Sequence, residues 1–289
     1  MSRVQRIFVG DVQGCADELD ELLARARRAF GQRFELWVVG DLVNRGPDNV
    51  RVLARVRELV NAGRGRYVLG NHEIALLRVA MGLRPLAPLD TFGDVLARSD
   101  ADEWIEWLRR RSLVATGRLG QQRFAMAHAA VHPAWGLDAL AARAAPVEAR
   151  LAAPDRGELA RLLAADRAVD PDRDLLGRLT SCRSVGAGDA WSTEPPGDLI
   201  DFVPWHVQWA AHRHRYGVVY GHWSLQGLQV APQLRGLDTG CVHHGRGRTG
   251  YLTAWLPDPD ADEAFAVPDR RFWQIAALRA YYAHRDAAP

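Results

Sequence analysis

The chain opens with short apolar runs that alternate with amphipathic stretches. Ile7-Phe8-Val9 is an unbroken hydrophobic triplet ending at Gly10-Asp11, the pattern of a buried strand. From Ala16 to Phe30, the positions Leu19, Leu22, Leu23, Ala26 and Phe30 recur at helical spacing. Leu36 to Val39 repeats the strand pattern and ends at Gly40-Asp41, with a helix expected from Asp48 to about Val60. Tyr67 to Leu69 repeats it again, ending at Gly70-Asn71 ahead of a helix from about Glu73 to Met81. Strands alternating with helices predict a largely parallel α/β sheet, with functional residues in the loops beyond the strands' carboxyl ends. Asp11, Asp41 and Asn71 fall there.

After Met81 the pattern turns helical. Trp104, Ile105, Trp107 and Leu108 form a packing stripe between Asp102 and Arg111, and Asp138 to Ala165 reads as a helical insert or cap. Strand-like runs return at Phe124 to Ala127, Gly217 to Tyr220, Leu234 to Leu237 and Tyr251 to Trp255. They predict a second, more antiparallel sheet packed on the first. Gly186 to Gly197 reads as loop, Pro257 to Asp262 as a polar break, and about Asp269 to His284 as a final amphipathic helix. The expected organisation is one domain over residues 1–257, with a helical insert at about 138–175, then a linker and helix over 258–289.

Composition alters this picture little. With 48% hydrophobic and 25% charged residues and a net charge of +2, the chain has no bulk attraction for nucleic acid or membrane surfaces. All 37 basic residues are arginine, which excludes a lysine nucleophile or Schiff base. Cys15, Cys182 and Cys241 make neither a disulfide framework nor a CxxC clip. Met1 to Gly10 holds no apolar signal core, and no apolar run approaches the roughly 20 residues that span a bilayer. A cytoplasmic protein is expected, with oligomeric state left open.

Five short motifs carry chemistry: Gly10-Asp11-Val12-Gln13-Gly14, Gly40-Asp41-Leu42-Val43-Asn44-Arg45-Gly46, Gly70-Asn71-His72-Glu73, Ala127-His128-Ala129 and Gly221-His222-Trp223. Asp11, Asp41 and Asn71 are thirty residues apart each time, about one strand-helix-strand unit, so three units deliver oxygen ligands to one sheet edge. His128 and His222 follow strand-like runs and add imidazoles. Two carboxylates, an amide oxygen and two imidazoles suit Mn, Fe, Co, Zn or Mg, and two cations sharing one carboxylate could activate a water.

In this order the motifs closely resemble the calcineurin-like metallophosphoesterases, and within them the symmetrical bis(5'-nucleosyl)-tetraphosphatases. Further matching stretches are Leu36 to Pro47, Val68 to Leu77, Met126 to Trp135, Tyr220 to Trp223 and Gly236 to Cys241. The resemblance implies a sandwich of two mixed sheets flanked by helices and two divalent cations, manganese first among the candidates. Asp11 and Gln13 would bind the first cation, Asp41 would bridge, and Asn71, His128 and His222 would hold the second. His72 would be the general acid, Arg45 a phosphate clamp, and Arg183 a second phosphate arginine. A hydroxide bridging the cations would cut diadenosine tetraphosphate, or a related dinucleoside polyphosphate, symmetrically to ADP.

The chain departs from that pattern in places. Position 13 is glutamine where many relatives have histidine, which weakens the first metal site. Position 44 is asparagine where Ser/Thr protein phosphatases carry an aspartate that orients the histidine. The segment from Leu151 to Pro204 lacks the usual Tyr-Gly and Thr-Arg-Met-Arg-Phe signatures, and Val242-His243-His244-Gly245 stands where Trp-Gly-Gly is usual. Alternative readings are a phosphomonoesterase or Ser/Thr protein phosphatase on the same centre, and a non-catalytic metal- or nucleotide-binding protein. Trp191, Trp205 and Trp209 read as packing residues, Arg109-Arg110-Arg111 as a solvated helix end, and His243-His244 as solvated loop.

Overall fold

The computed structural model describes residues 4–281. Each of the first three apolar runs forms a strand followed by a helix: β1 (Gln5–Val9), α1 (Ala16–Phe30), β2 (Phe34–Val38), α2 (Asn49–Asn61), β3 (Gly65–Tyr67) and α3 (Asn71–Ala80). The strands lie side by side and parallel, Ile7 opposite Leu36 and Leu36 opposite Gly65. The Asp48 side chain starts α2 by accepting the Arg51 amide at 3.1 Å.

The chain continues through α4 (Gly93–Leu96), α5 (Ala101–Leu108), β4 (Val114–Leu119) and β5 (Gln122–Ala127) into three helices, α6 (Leu137–Leu151), α7 (Arg156–Ala164) and α8 (Pro171–Ser181). It closes with β6 (Ser184–Val185), β7 (Trp191–Ser192), β8 (Val203–Pro204), α9 (Trp205–Ala211), β9 (Tyr216–Tyr220), β10 (Gln229–Ala231), β11 (Leu234–Gly236), β12 (Asp238–Thr239), β13 (Tyr251–Trp255) and β14 (Phe272–Ala276). The second sheet has the order β10-β11-β9-β5-β4, with β11, β9 and β5 parallel and the two edge strands antiparallel. The expected architecture of two mixed sheets, flanking helices and a helical insert is the one adopted.

Aromatic side chains fill the space between the sheets. Phe8 meets Phe124 edge-on with ring centroids 5.2 Å apart, and Trp37 meets Phe124 at 5.3 Å. A Cβ on Gly217 would lie 2.4 Å from the Phe265 ring, so β9 uses glycine to let that ring in. On the other face of the first sheet, Ile7, Val9, Leu36 and Val38 pack in one core with Leu19, Leu22 and Leu23 of α1 and Val52, Leu53 and Val56 of α2.

Four sequence expectations are corrected. Tyr251 to Trp255 joins the first sheet, antiparallel to β1, because β1 has an open side and Trp255 packs 5.3 Å from Phe8. Gly186 to Gly197 contains β7, which pairs with β6 as Trp191 enters the core. Arg109 is not solvated: it is 1% exposed and donates to Glu106 and to the carbonyls of Leu151 and Ala153, tying α5 to the end of α6. Phe272 to Ala276 is a strand along β13, and no helix occurs among described residues from 269 on; residues 282–284 lie outside the described range. The unpaired side of β13 offers a full ladder to a segment rich in aromatic and β-branched residues, which outweighs a marginal helical pattern.

Asp269 fastens this last strand. Its Oδ2 accepts Nη2 of the wholly buried Arg235 at 2.9 Å and the Trp255 indole N–H at 2.8 Å. Removing one partner strands a buried charge, at a cost of about 3 kcal/mol. Asp269→Ala should therefore lower the urea-unfolding free energy by about that much; an unchanged midpoint would mean that Arg235 finds another partner.

Candidate active site

The three βα units bring their loops to one edge of the first sheet. Asp41 is the hub. Its carbonyl accepts the amides of Val12 (3.1 Å) and Gln13 (2.8 Å), hanging the first loop on the second. Its carboxylate accepts the His72 amide at the N-terminus of α3 (3.0 Å), where helix dipole and free N–H favour an anion. Gly70 permits this approach, since a Cβ there would sit 2.1 Å from Asp41 Oδ1. Gly221 does the same for Asp11, whose two oxygens accept the His222 amide at 3.1 and 3.3 Å.

Glu73, unassigned in the sequence reading, holds the loops together. Its fully buried carboxylate accepts the amides of Asp41 (3.0 Å), Leu42 (2.8 Å), Val43 (3.3 Å) and Gly70 (2.8 Å). Both predicted imidazoles are oriented by carbonyls. His128 turns Nδ1 to Val39 O (3.0 Å), and His222 turns Nε2 to Ser181 O (3.1 Å). The opposite nitrogens, His128 Nε2 and His222 Nδ1, lie 3.1 and 2.9 Å from Asn71 Oδ1, and His128 Nε2 lies 3.4 Å from Asp41 Oδ1.

The cluster opens on a cleft of about 640 Å³ lined, among the expected residues, by Gln13, Asp41, Arg45, Asn71, His72, Arg183 and His222. His243, Arg246 and Arg248 line it too, so His243 is a cleft residue and not solvated loop. Gln13 takes up a left-handed φ of 49°, at a buried position. Trp191, Trp205 and Trp209 stay in the core, as expected of packing residues. His72 is fixed by Asn44: Asn44 Oδ1 accepts the Arg45 and Thr91 amides, both at 2.9 Å, which leaves its NH₂ to donate to His72 Nδ1 (2.8 Å) and Asp90 (3.0 Å). His72 Nε2, left with the ring proton, lies 3.6 Å from Asp41 Oδ2.

A sequence profile for the family described as calcineurin-like phosphoesterase matches residues 6–140. The symmetrical bis(5'-nucleosyl)-tetraphosphatase of Ralstonia nicotianae is 36% identical over 257 residues, 85% of this chain and 88% of that protein. The enzyme of the same name from a Janthinobacterium species is 35% identical over 258 residues, 85% of this chain and 92% of its own length. The chain belongs to the calcineurin-like phosphoesterases. The crystal structure of a protein provisionally named a diadenosine tetraphosphatase superposes with a TM-score of 0.61 at 25% identity, covering 95% of this chain and 94% of that one. This phosphoesterase is thus a hydrolase of phosphoric ester or anhydride bonds, and the family implies divalent cations.

The donor set fits them. Asp11, Asp41 and His128 each place a ligand atom within 4.8 Å of the others, and all three are buried. With His128 Nδ1 and His222 Nε2 turned to carbonyls, His128 Nε2, His222 Nδ1, Asn71 Oδ1 and Asp41 converge, and a cation there would take the place of the proton that Asp41 draws onto His128, whose pKa is raised despite burial. The carboxylates tell the same story. Burial, then the charges of Asp238 and Asp41, push the Asp11 carboxyl well above its ordinary range. Asp238, another member of the cluster missed in the sequence, is pushed up to about 6 by burial and by Asp41. Asp41 itself is held low: burial opposes ionisation, but the neighbouring His128 and the His72 backbone amide outweigh it. The only sequence signal for Asp238 was its place in Gly236-Leu237-Asp238-Thr239-Gly240-Cys241.

Asp11 and Asp238 hold protons in the metal-free fold that they lose when unfolded. That stability is complete below the ordinary carboxylate pKa and is lost as pH rises through about 6 for Asp238. Divalent cations favour the ionised carboxylates, so the gap in melting temperature between manganese-loaded and chelator-treated protein should widen from pH 5 to pH 8. A gap independent of pH would contradict a cation site built on these acids.

Proposed function

We propose that this phosphoesterase hydrolyses dinucleoside polyphosphates, diadenosine tetraphosphate foremost, symmetrically to nucleoside diphosphates. The hydrogen bond that fixes His72 carries the reading. With Asn44 donating to Nδ1, the ring is neutral and presents an N–H at Nε2, and burial lowers its pKa further. A neutral imidazole can stabilise a leaving oxygen by donating a hydrogen bond, but it is a weak proton donor. That suffices for a phosphate leaving group, which is a stable anion near neutral pH because its second pKa is about 6. It serves poorly for the alkoxide released from a phosphomonoester or phosphoserine, which needs protonation as it departs. The general-acid role expected of His72 thus narrows to hydrogen-bond donation, and the phosphomonoesterase and protein-phosphatase alternative loses support. The names of the relatives point the same way.

In this reading Asp11 and Gln13 hold one cation, Asp41 is shared, and Asn71, His128 and His222 hold the other. Manganese is the proposed metal, with cobalt, iron, zinc and magnesium compatible with the same donors. When bound, two such cations polarise a phosphoryl oxygen and acidify water. The chain's own residues do the rest. Arg45 and Arg183 grip phosphate oxygens and align the chain of phosphates; His72 receives the leaving oxygen. We place the catalytic unit in the cytoplasm and extend it past residue 257, because Phe265 packs between its sheets and β14 completes its first sheet; no helix among the described residues is long and apolar enough to cross a membrane.

Hydrolysis of diadenosine tetraphosphate in ¹⁸O-labelled water tests this. Attack at an inner phosphorus gives ADP alone, with one ¹⁸O in half of the molecules. AMP with ATP would refute the symmetric register. No cleavage, beside rapid turnover of a phosphopeptide, would restore the protein-phosphatase alternative.

A further inference from the structure

The loop after β12 departs from the family pattern and carries charge into the cleft. Arg45, Arg183, Arg246 and Arg248 place four guanidiniums along one cleft, in a chain whose net charge is only +2. A monophosphate has a single phosphoryl group to offer them; a tetraphosphate has four in a row.

Arg248 is the best defined of the four. Its Nη1 and Nη2 donate to the Ser224 carbonyl and hydroxyl, each at 2.8 Å, which pins the guanidinium in place. Both acceptors are neutral, and among the described residues they take up two of its five N–H donors. Gly240, with a φ of +67°, makes room: a Cβ there would lie 2.7 Å from Arg248 Nη2. The neighbouring imidazole registers the local field, because burial and then Arg248 and Arg246 push His243 down to about 4. Across the cleft lining, Arg183 is held by the Thr193 carbonyl, with its Nε buried and unpartnered. The segment that carries Arg183 has one arginine where the resembled Thr-Arg-Met-Arg-Phe signature has two, with Ser181 at the other position.

We propose that Arg248, with Arg183, forms a phosphate subsite for the part of the polyphosphate beyond the cleaved bond, supplying from the loop after β12 the guanidinium that the middle segment lacks. The subsite sets selectivity for polyphosphates over monophosphates, and its role in turnover rests on the dinucleoside polyphosphate reading above. A rigid guanidinium bound to phosphate oxygens by charge-assisted hydrogen bonds is worth about tenfold or more in affinity.

The test uses the full chain loaded with manganese, as wild type, Arg248→Gln, Arg248→Ala and Arg183→Ala. Two quantities are read: KM and kcat on diadenosine tetraphosphate and p-nitrophenyl phosphate, and the calorimetric Kd for inorganic tripolyphosphate. Arg248→Gln and Arg248→Ala should raise the tetraphosphate KM and the tripolyphosphate Kd about tenfold or more. Selectivity for tetraphosphate over the aryl phosphate should fall by a similar factor, with the melting temperature held. An unchanged tripolyphosphate Kd in Arg248→Gln overturns the subsite, as does an equal loss on both substrates. Failure of the wild type to cleave diadenosine tetraphosphate would overturn the substrate reading instead, and the tripolyphosphate affinities would still decide the subsite.

Discussion

Asp41 must keep a negative charge where the protein has nearly excluded water. Its side chain is buried beside Asp11, Glu73 and Asp238, and like charges so placed cannot all stay ionised without compensation. The chain meets part of that demand through the amide at the start of α3 and through His128, whose pKa Asp41 raises. The remainder defines a cation site. Everything nearby serves this arrangement: glycines stand where a Cβ would strike a carboxylate, and backbone carbonyls direct the ring protons of His128 and His222 away from the centre.

The same demand explains Glu73. A buried carboxylate that accepts four backbone amides could be read as stability alone, yet those amides belong to the loop bearing Asp41 and to the turn before Asn71. Glu73 thereby fixes the spacing of two ligand loops, while the Asp41 carbonyl fixes the third. Three repeated βα units thus become one rigid site through two residues, with the side chains that touch substrate free to vary around it.

The sequence made the loop edge of the first sheet legible for a physical reason. Three strand-helix units thirty residues apart must place Asp11, Asp41 and Asn71 at equivalent positions of a parallel sheet. His128 and His222 stand out in the sequence because each follows a strand. What escaped depends on contacts distant in sequence. Asp238 lies on a two-residue strand whose partner is β13, and Arg109 is buried only because the ends of α6 and α5 meet. The last strand was misread because its pairing edge belongs to residues some twenty positions earlier, which a local helical period does not reveal. The cleft wall formed by His243, Arg246 and Arg248 follows no periodicity.

The site therefore divides into a buried cluster set by local motifs and a cleft wall assembled from distant loops. In the proposed function the first sets reaction class and the second selectivity. The proposed function rests on Asp41 being shared by two cations. Elemental analysis of chain dialysed against a small excess of manganese measures that directly. Wild type should retain two equivalents per chain, and Asp41→Asn, with an amide in place of the shared carboxylate, less than one, with turnover lost in step. Equal metal content in the two proteins, or full turnover by a chain shown to be metal-free, would contradict the account.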